Sequence, residues 1–304
     1  MKRIIFFCTI SAFVFLFFSC ATIETAIDDL KKEFDFKDVS ITKDEADAIT
    51  ASAKDIAKSF EDITPEQEYY IGRAVGAVVL NRYKPYDDPE AGRYLNVLGQ
   101  TLALASDRPE LFAGYHFLIL DSDEINAFAT PSGLVFVTRG MLRLASTEDM
   151  VAAVLAHEIG HIVHKHGLKA IKQTRITSAL GKVAATAAES ITPDALADLT
   201  NEFKDSINDI TDTMITSGYS KLNEFDADKI AVKILRRVGY DPAALLDLLW
   251  EMKANLKPGN RDFAKTHPDP EERIKLAQVY IRKKSADPPP RIRQERFKKA
   301  LSGI

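Results

Sequence analysis

The sequence predicts a mainly helical α+β domain built around a small sheet. Three observations carry that reading. Apolar residues recur at helical spacing behind recognisable start signals over most of the chain. Only two short runs, residues 117–120 and 134–138, are rich in residues that suit a buried, pleated strand. Pro and Gly are sparse, 13 and 14 in 304 residues, so helices meet few breakers. With 46% hydrophobic and 28% charged residues, the composition is globular and excludes disordered and fibrous classes. Basic residues number 40 against 44 acidic, a net −4, which provides no electrostatic footprint for nucleic acid.

The first 20 residues stand apart from the fold. Lys2 and Arg3 precede an uncharged, almost wholly apolar run over residues 4–18, and Ser19-Cys20 closes it. Such a run is short for a spanning helix and suits a secretory signal. It resembles a bacterial lipoprotein signal, with Cys20 as the acylated first mature residue, although Phe17 stands where such signals carry Leu or Val. An uncleaved membrane anchor is the alternative. The expected location is the bacterial envelope, lipid-anchored and facing the periplasm, at the outer membrane rather than the inner. Both cysteines, Cys8 and Cys20, lie in this segment, so the rest of the chain has no disulfide framework, CxxC pair or thiol nucleophile.

Residues 21–62 are acidic, with a helix expected near 43–60 behind the capping box of Thr42 and Glu45. The main domain is expected over 63–281. Thr64-Pro65-Glu66-Gln67 opens its first helix with a cap, a first-turn Pro and a Gln in the third position. A second helix is expected over about 89–105. Strands at 117–120 and 134–138 flank the turn Pro131-Ser132-Gly133. From Arg139 the pattern is helical almost to Ile281, with new starts at Asp241-Pro242 and Asp269-Pro270. Residues 168–217 read as packed helices or, more sharply, as a movable cover. Residues 282–304 read as a basic tail. Eight Lys or Arg stand against Asp287 and Glu295, and Pro288, Pro289 and Pro290 interrupt any helix. A solvated tail is expected there, with an anionic membrane surface as the alternative contact.

The chemistry centres on His157-Glu158-Ile159-Gly160-His161. His at i and i+4 lie one turn apart on one helix face and can bind one Zn²⁺, while Glu158 stands beside that face within reach of a water on the metal. Ser146 and Thr147 cap the helix, and Glu148 and Asp149 suit its positive end. Val154, Leu155, Ile159 and Ile162 imply that it is buried, where an unpaired His couple would be costly. A catalytic zinc needs a third protein ligand and an open position. The metzincin extension fails, because His164 and Gly167 stand in the reverse of its order. His164 and His166 therefore read as supporting or surface residues. Downstream, Glu224 and Asp228 share a helix face: Glu224 supplies the third ligand, and Asp228 accepts the free N–H of a ligand His.

These motifs occur in order with two more: Asn126-Ala127-Phe128-Ala129 followed by residues 133–140, and Thr266-His267-Pro268 followed by Arg273 and Ile274. Together they resemble the HtpX and CAAX-prenyl-protease family of zinc metallopeptidases, metallopeptidase family forty-eight, over about residues 64–281. The resemblance is greatest to soluble periplasmic lipoprotein members, without the membrane helices or the helical-repeat extension of others. Thr130-Pro131-Ser132-Gly133 replaces the family's Leu-Pro-Gly-Gly.

The resemblance implies a zincin-like fold and one zinc per chain on His157, His161 and Glu224. It implies Glu158 as general base and then proton donor, and His267 and Arg273 as stabilisers of the oxyanion. Asn126 would hold substrate backbone. Leu134, Val135, Phe136 and Val137 are expected as an edge strand pairing with an extended polypeptide. The expected function is a membrane-anchored zinc endopeptidase acting on unfolded or misassembled envelope proteins. The alternative is an envelope chaperone that binds exposed strands without cutting.

Overall fold

A computed structural model of the protein describes residues 63–170, 204–205, 207–255, 267, 270–281 and 289–304. The expected signal, Cys20 and the helix near 43–60 lie outside the described residues, as does most of the 168–217 segment. Among the described residues no helix is long and apolar enough to cross a membrane.

Helix α1 (Pro65–Arg82) opens as its sequence dictates. Thr64 Oγ1 accepts the Gln67 N–H at 3.2 Å, and Gln67 Oε1 accepts the Thr64 N–H at 2.9 Å. Helix α2 (Pro89–Leu104) is capped by Asp88 and lays Ala91, Leu95, Leu98 and Leu102 into the core beside the first strand. Strands β1 (His116–Leu120), β2 (Ala127–Ala129) and β3 (Leu134–Thr138) form a sheet in the order β1-β3-β2. β1 runs parallel to β3, with His116 opposite Leu134, and β2 runs antiparallel, with Phe128 opposite Phe136.

This order overturns one expectation. Residues Leu134, Val135, Phe136 and Val137 belong to the middle strand, and both of its hydrogen-bonding edges are taken. No extended peptide can add there. The error arose because β2, three residues long, is too short to show a strand period. The turn between β2 and β3 closes through Gly133 N–H to Thr130 O at 3.2 Å. Gly133 has φ +88°, and a Cβ there would lie 2.5 Å from Leu111 and 2.8 Å from the Gly114 carbonyl, so only glycine fits.

Helix α3 (Arg139–Leu144) follows β3 directly, and α4 (Glu148–Val163) starts at Thr147, whose side chain accepts the Met150 N–H. Every residue from Glu148 to Ile162 is buried, as expected of a helix packed on all sides. The sheet, α2, α6 (Lys221–Val238) and α7 (Ala244–Asn255) surround it. The short α5 (His166–Lys169) and a π-helical turn (Thr213–Ser217) precede α6, and α8 (Pro270–Tyr280) packs on α6 and α7. α4 and α6 come close together where two small residues meet. A Cβ on Gly160 would lie 2.8 Å from the Ala227 carbonyl oxygen and 2.9 Å from its Cα. Gly160 stands within the His-Glu motif and Ala227 between Glu224 and Asp228, so this contact sets the distance between the two halves of the site.

The expected solvated tail is also corrected. Residues 291–300 form helix α9 (Arg291–Ala300), docked on α2 and α4. Phe297, Leu301 and Ile304 pack against the core, and Arg296 forks onto the buried Glu148 carboxylate at the start of α4. Charge density and prolines suggested solvation, but the acid that holds this helix lies 148 residues away in sequence.

Candidate metal centre

Four donors converge from three places: His157 and His161 on α4, Glu224 in the first turn of α6, and His267 ahead of α8. The Nε2 atoms of His157 and His161 are 3.1 Å apart. Glu224 Oε2 lies 3.4 Å from His157 Nε2, and Glu224 Oε1 lies 3.3 Å from His161 Nε2. His267 Nδ1 is 3.4 Å from His157 Nε2 and 2.8 Å from Glu224 Oε2. All four ligand atoms fall within 4.8 Å of one another. Two atoms bound tetrahedrally to zinc at 2.0–2.1 Å stand about 3.3 Å apart. The donor set therefore has the spacing of a tetrahedral metal site.

Two orphaned atoms point the same way. Glu224 Oε1 and Glu158 Oε1 are buried without a hydrogen-bond partner, an expense that a cation and its water would relieve. Burial raises the Glu158 carboxyl to about 7. For Glu224 burial acts in the same sense but is outweighed by the charges of His267 and Arg273, which hold it well below the usual carboxylate range. Burial brings His161 down to about 3 and lowers His267. At His157 burial and Arg273 press downward, but its bonds to Asp228 and Glu224 prevail and carry it to about 9.

The model of peptidase family M48 matches residues 89–280, well over half of the chain. The chain belongs to peptidase family M48. The family expected from the four motifs is borne out, and the M48 match encloses all four residues of the cluster, which could hold a metal ion. Among curated relatives, the beta-barrel assembly-enhancing protease of Escherichia coli is 29% identical over 213 residues, 68% of this chain and 41% of the relative. A putative beta-barrel assembly-enhancing protease of Vibrio cholerae is 26% identical over 70% of this chain and 43% of its own length. The mitochondrial metalloendopeptidase OMA1 of Schizosaccharomyces pombe is 31% identical over 51% of this chain and 43% of its own length. The chain thus spans less than half the length of these relatives.

Around this M48 centre the remaining predicted residues take distinct places. Asp228 Oδ1 accepts from His157 Nδ1 at 2.9 Å, which leaves the His157 Nε2 lone pair for the metal. Arg273, expected to stabilise an oxyanion, is buried behind the ligands instead. Its Nη2 and Nε donate to Asp228 at 2.6 and 2.9 Å, and its Nη1 lies 3.2 Å from Glu224 Oε2. His267, given the same expected role, stands inside the donor set, with Nε2 4.0 Å from Glu158 Oε1. The Asn126 Oδ1 accepts the Ala127 N–H at 2.9 Å at the start of β2. His164 caps α4. His166 is buried, with Nδ1 3.0 Å from His161 Nδ1.

Sequence reasoning missed Tyr219, whose ring stacks on His161 with centroids 4.3 Å apart and planes 23° apart. Its place immediately before Ser220, the cap of the helix bearing Glu224, was the available signal. It also missed the close contact at Gly160, which no pattern in one helix can reveal.

Proposed function

We propose that the chain is a zinc endopeptidase of the bacterial envelope, anchored through an acylated Cys20 and acting on unfolded or misassembled envelope proteins. The observation that carries the reading is the tetrahedral spacing of His157, His161 and Glu224 beside the buried Glu158 carboxylate. The names of the bacterial relatives support the substrate class. His157, His161 and Glu224 would hold the zinc, which when bound polarises a scissile carbonyl and lowers the pKa of water towards about 7.

The chain's own residues supply the remaining work. Glu158, buried beside the donor set, takes a proton from the attacking water and returns it to the leaving amide nitrogen. Asp228 and Arg273 fix the tautomer and orientation of His157 and steady Glu224. The peptide-binding edge moves from β3 to β2. Asn126 O accepts the Thr138 N–H, and Thr130 N–H donates to Leu134 O. Ladder alternation then turns the backbone groups of Ala127 and Ala129 away from β3; these residues are buried and β2 packs on the π-helical turn Thr213–Ser217, so an extended substrate would have to displace that cover to pair beside Asn126.

The position of His267 favours a second reading of its role. A four-donor site is closed, and an open position is needed for catalysis. His267 then acts as a removable fourth ligand. His267→Ala should weaken metal binding yet raise turnover. A kcat lower by about 10²–10³ with unchanged metal content would restore the oxyanion role.

The main reading is tested by elemental analysis and cleavage of unfolded casein. Wild type should carry one zinc and lose cleavage to chelator, Glu224→Ala should lose the zinc, and Glu158→Gln should keep zinc but not cleavage. Zinc-loaded protein that binds casein without cutting it would favour the chaperone alternative. An unmodified Cys20 in an intact N-terminal segment, read by mass spectrometry, would refute the anchor.

A further inference from the structure

We propose that His166 is a positioning residue for the metal centre: its Nδ1 accepts the Nδ1–H of His161 and so turns the Nε2 of that ligand onto the metal. The inference rests on the zinc reading above. The two nitrogens of His161 face different neighbours. Nε2 looks into the donor set, 3.1 Å from His157 Nε2 and 3.3 Å from Glu224 Oε1. Nδ1 lies 3.0 Å from His166 Nδ1. Two ring nitrogens at that distance need a single proton between them unless, like the Nε2 atoms of His157 and His161, they would share a metal, since two protons would collide and two lone pairs would repel. The Nε2 lone pair of His161 is committed to the metal, so its proton sits on Nδ1. His166 therefore accepts at Nδ1 and carries its own proton on Nε2.

The backbone is bent to make this contact. α4 ends at Val163, and Lys165 takes φ 54° and ψ 36°, the one left-handed non-glycine residue among the described residues. Such a conformation persists only where its surroundings hold it. It reverses the chain so that His166, only five residues after His161, returns to the metal helix with its ring 5.0 Å from that of His161. On another side Tyr219 stacks on the same ring. Stacking fixes the ring plane, and only the hydrogen bond selects which nitrogen faces the metal.

The choice of an imidazole has an electrostatic reason. His157 is backed by the Asp228 carboxylate, which Arg273 neutralises. A second backing carboxylate at His161 would add its charge to those of Glu158 and Glu224 in the same buried space. An uncharged acceptor orients the ligand without that cost.

The test uses the full chain and zinc itself. His166→Asn keeps an acceptor oxygen near the place of Nδ1. His166→Phe keeps a ring without an acceptor, and His166→Leu replaces it if Phe does not fold. Zinc affinity is measured by competition with a chromogenic chelator, ligand geometry by the visible spectrum of the cobalt(II) protein, and folding by melting of the metal-free form. The apolar variant should lose about 10–100-fold in zinc affinity with an altered cobalt spectrum and little change in metal-free melting. Asn should stay within a few-fold of wild type. Wild-type affinity and spectrum in the apolar variant would overturn the proposal, as would equal losses in Asn and the apolar variant, which mean packing alone. Wild-type protein that binds no zinc would refute the underlying zinc reading and this proposal with it.

Discussion

Replacing Arg296 with Ala should make the protein easier to unfold, although Arg296 lies in a segment whose composition suggests a solvated tail. Its partner Glu148 is fully buried at the first position of α4. That carboxylate accepts from Tyr240 Oη at 2.7 Å, from Tyr94 Oη at 3.3 Å, and from Nε and Nη2 of Arg296. Removing Arg296 leaves a buried charge with two phenols and the positive end of the helix. Breaking a fully buried pair costs about 3–5 kcal/mol. The Arg296 side chain is half exposed, so water can enter behind it and the expected cost falls to about 2–3 kcal/mol. At about 2–4 °C per kcal/mol for a domain of this size, Tm should drop by about 5–10 °C. The assay is thermal and urea unfolding of chelator-treated protein followed by circular dichroism. Arg291→Ala is the control on the same helix. Its partner Glu295 is exposed and four residues away, so its loss should cost under about 0.5 kcal/mol. Equal effects of the two substitutions would refute the idea that α9 clamps the metal helix.

Three further outcomes follow from the geometry. Burial raises Glu158 from 4.5 to about 7, so the folded metal-free state binds this proton more tightly than the unfolded state. Its stability should fall as pH rises through that window, by at most about 3 kcal/mol, and Glu158→Gln should flatten this slope in pH-dependent urea titrations; an unchanged slope would reject the buried-acid assignment. Gly160→Ala should push α6 from α4, costing about 1–3 kcal/mol by overpacking and lowering metal affinity through Glu224; wild-type affinity in a chelator competition would show that the helices can yield there. Tyr219→Phe should leave metal affinity unchanged because the ring makes the contact, whereas Tyr219→Ala should lower it; a loss in Phe equal to that in Ala would assign the role to the hydroxyl.

The parts of the fold legible in the sequence were those encoded locally. The Thr64 capping box, the Thr147 cap and the β-rich run at Leu134–Thr138 each state their conformation within a few residues, and each appears where expected. The ligands were legible because i, i+4 spacing puts two side chains on one face without help from the rest of the chain. Order within the sheet was not, since β3 becomes central only through the three-residue β2. The tail was misread for the same reason: its fate depends on a buried acid far away in sequence. The oxyanion role expected of Arg273 came from the family resemblance alone. The structure pairs it with Asp228 and Glu224, a relation between two helices, α6 and α8, that no single helix pattern encodes.

Charge balance ties these residues into one device. The buried space holds the carboxylates of Glu158, Glu224 and Asp228 and the guanidinium of Arg273. Fully ionised, they leave two negative charges, which a divalent cation cancels. Without the cation the same space must recruit protons. The two groups raised by their surroundings are those that would hold them near neutral pH, His157 at about 9 and Glu158 at about 7. His157 bears its proton where the metal would bind, so loading must expel it, and metal affinity rises with pH. Arg273 sets the scale of this exchange. Were its charge absent, three carboxylates would confront one divalent ion, and Asp228 would lose one of the two partners, Arg273 and His157, that hold its carboxyl down. The hold on the ligand tautomer would then weaken along with the balance. A residue that touches neither substrate nor metal is thus a condition for the metal helix to present two bare nitrogens to one point.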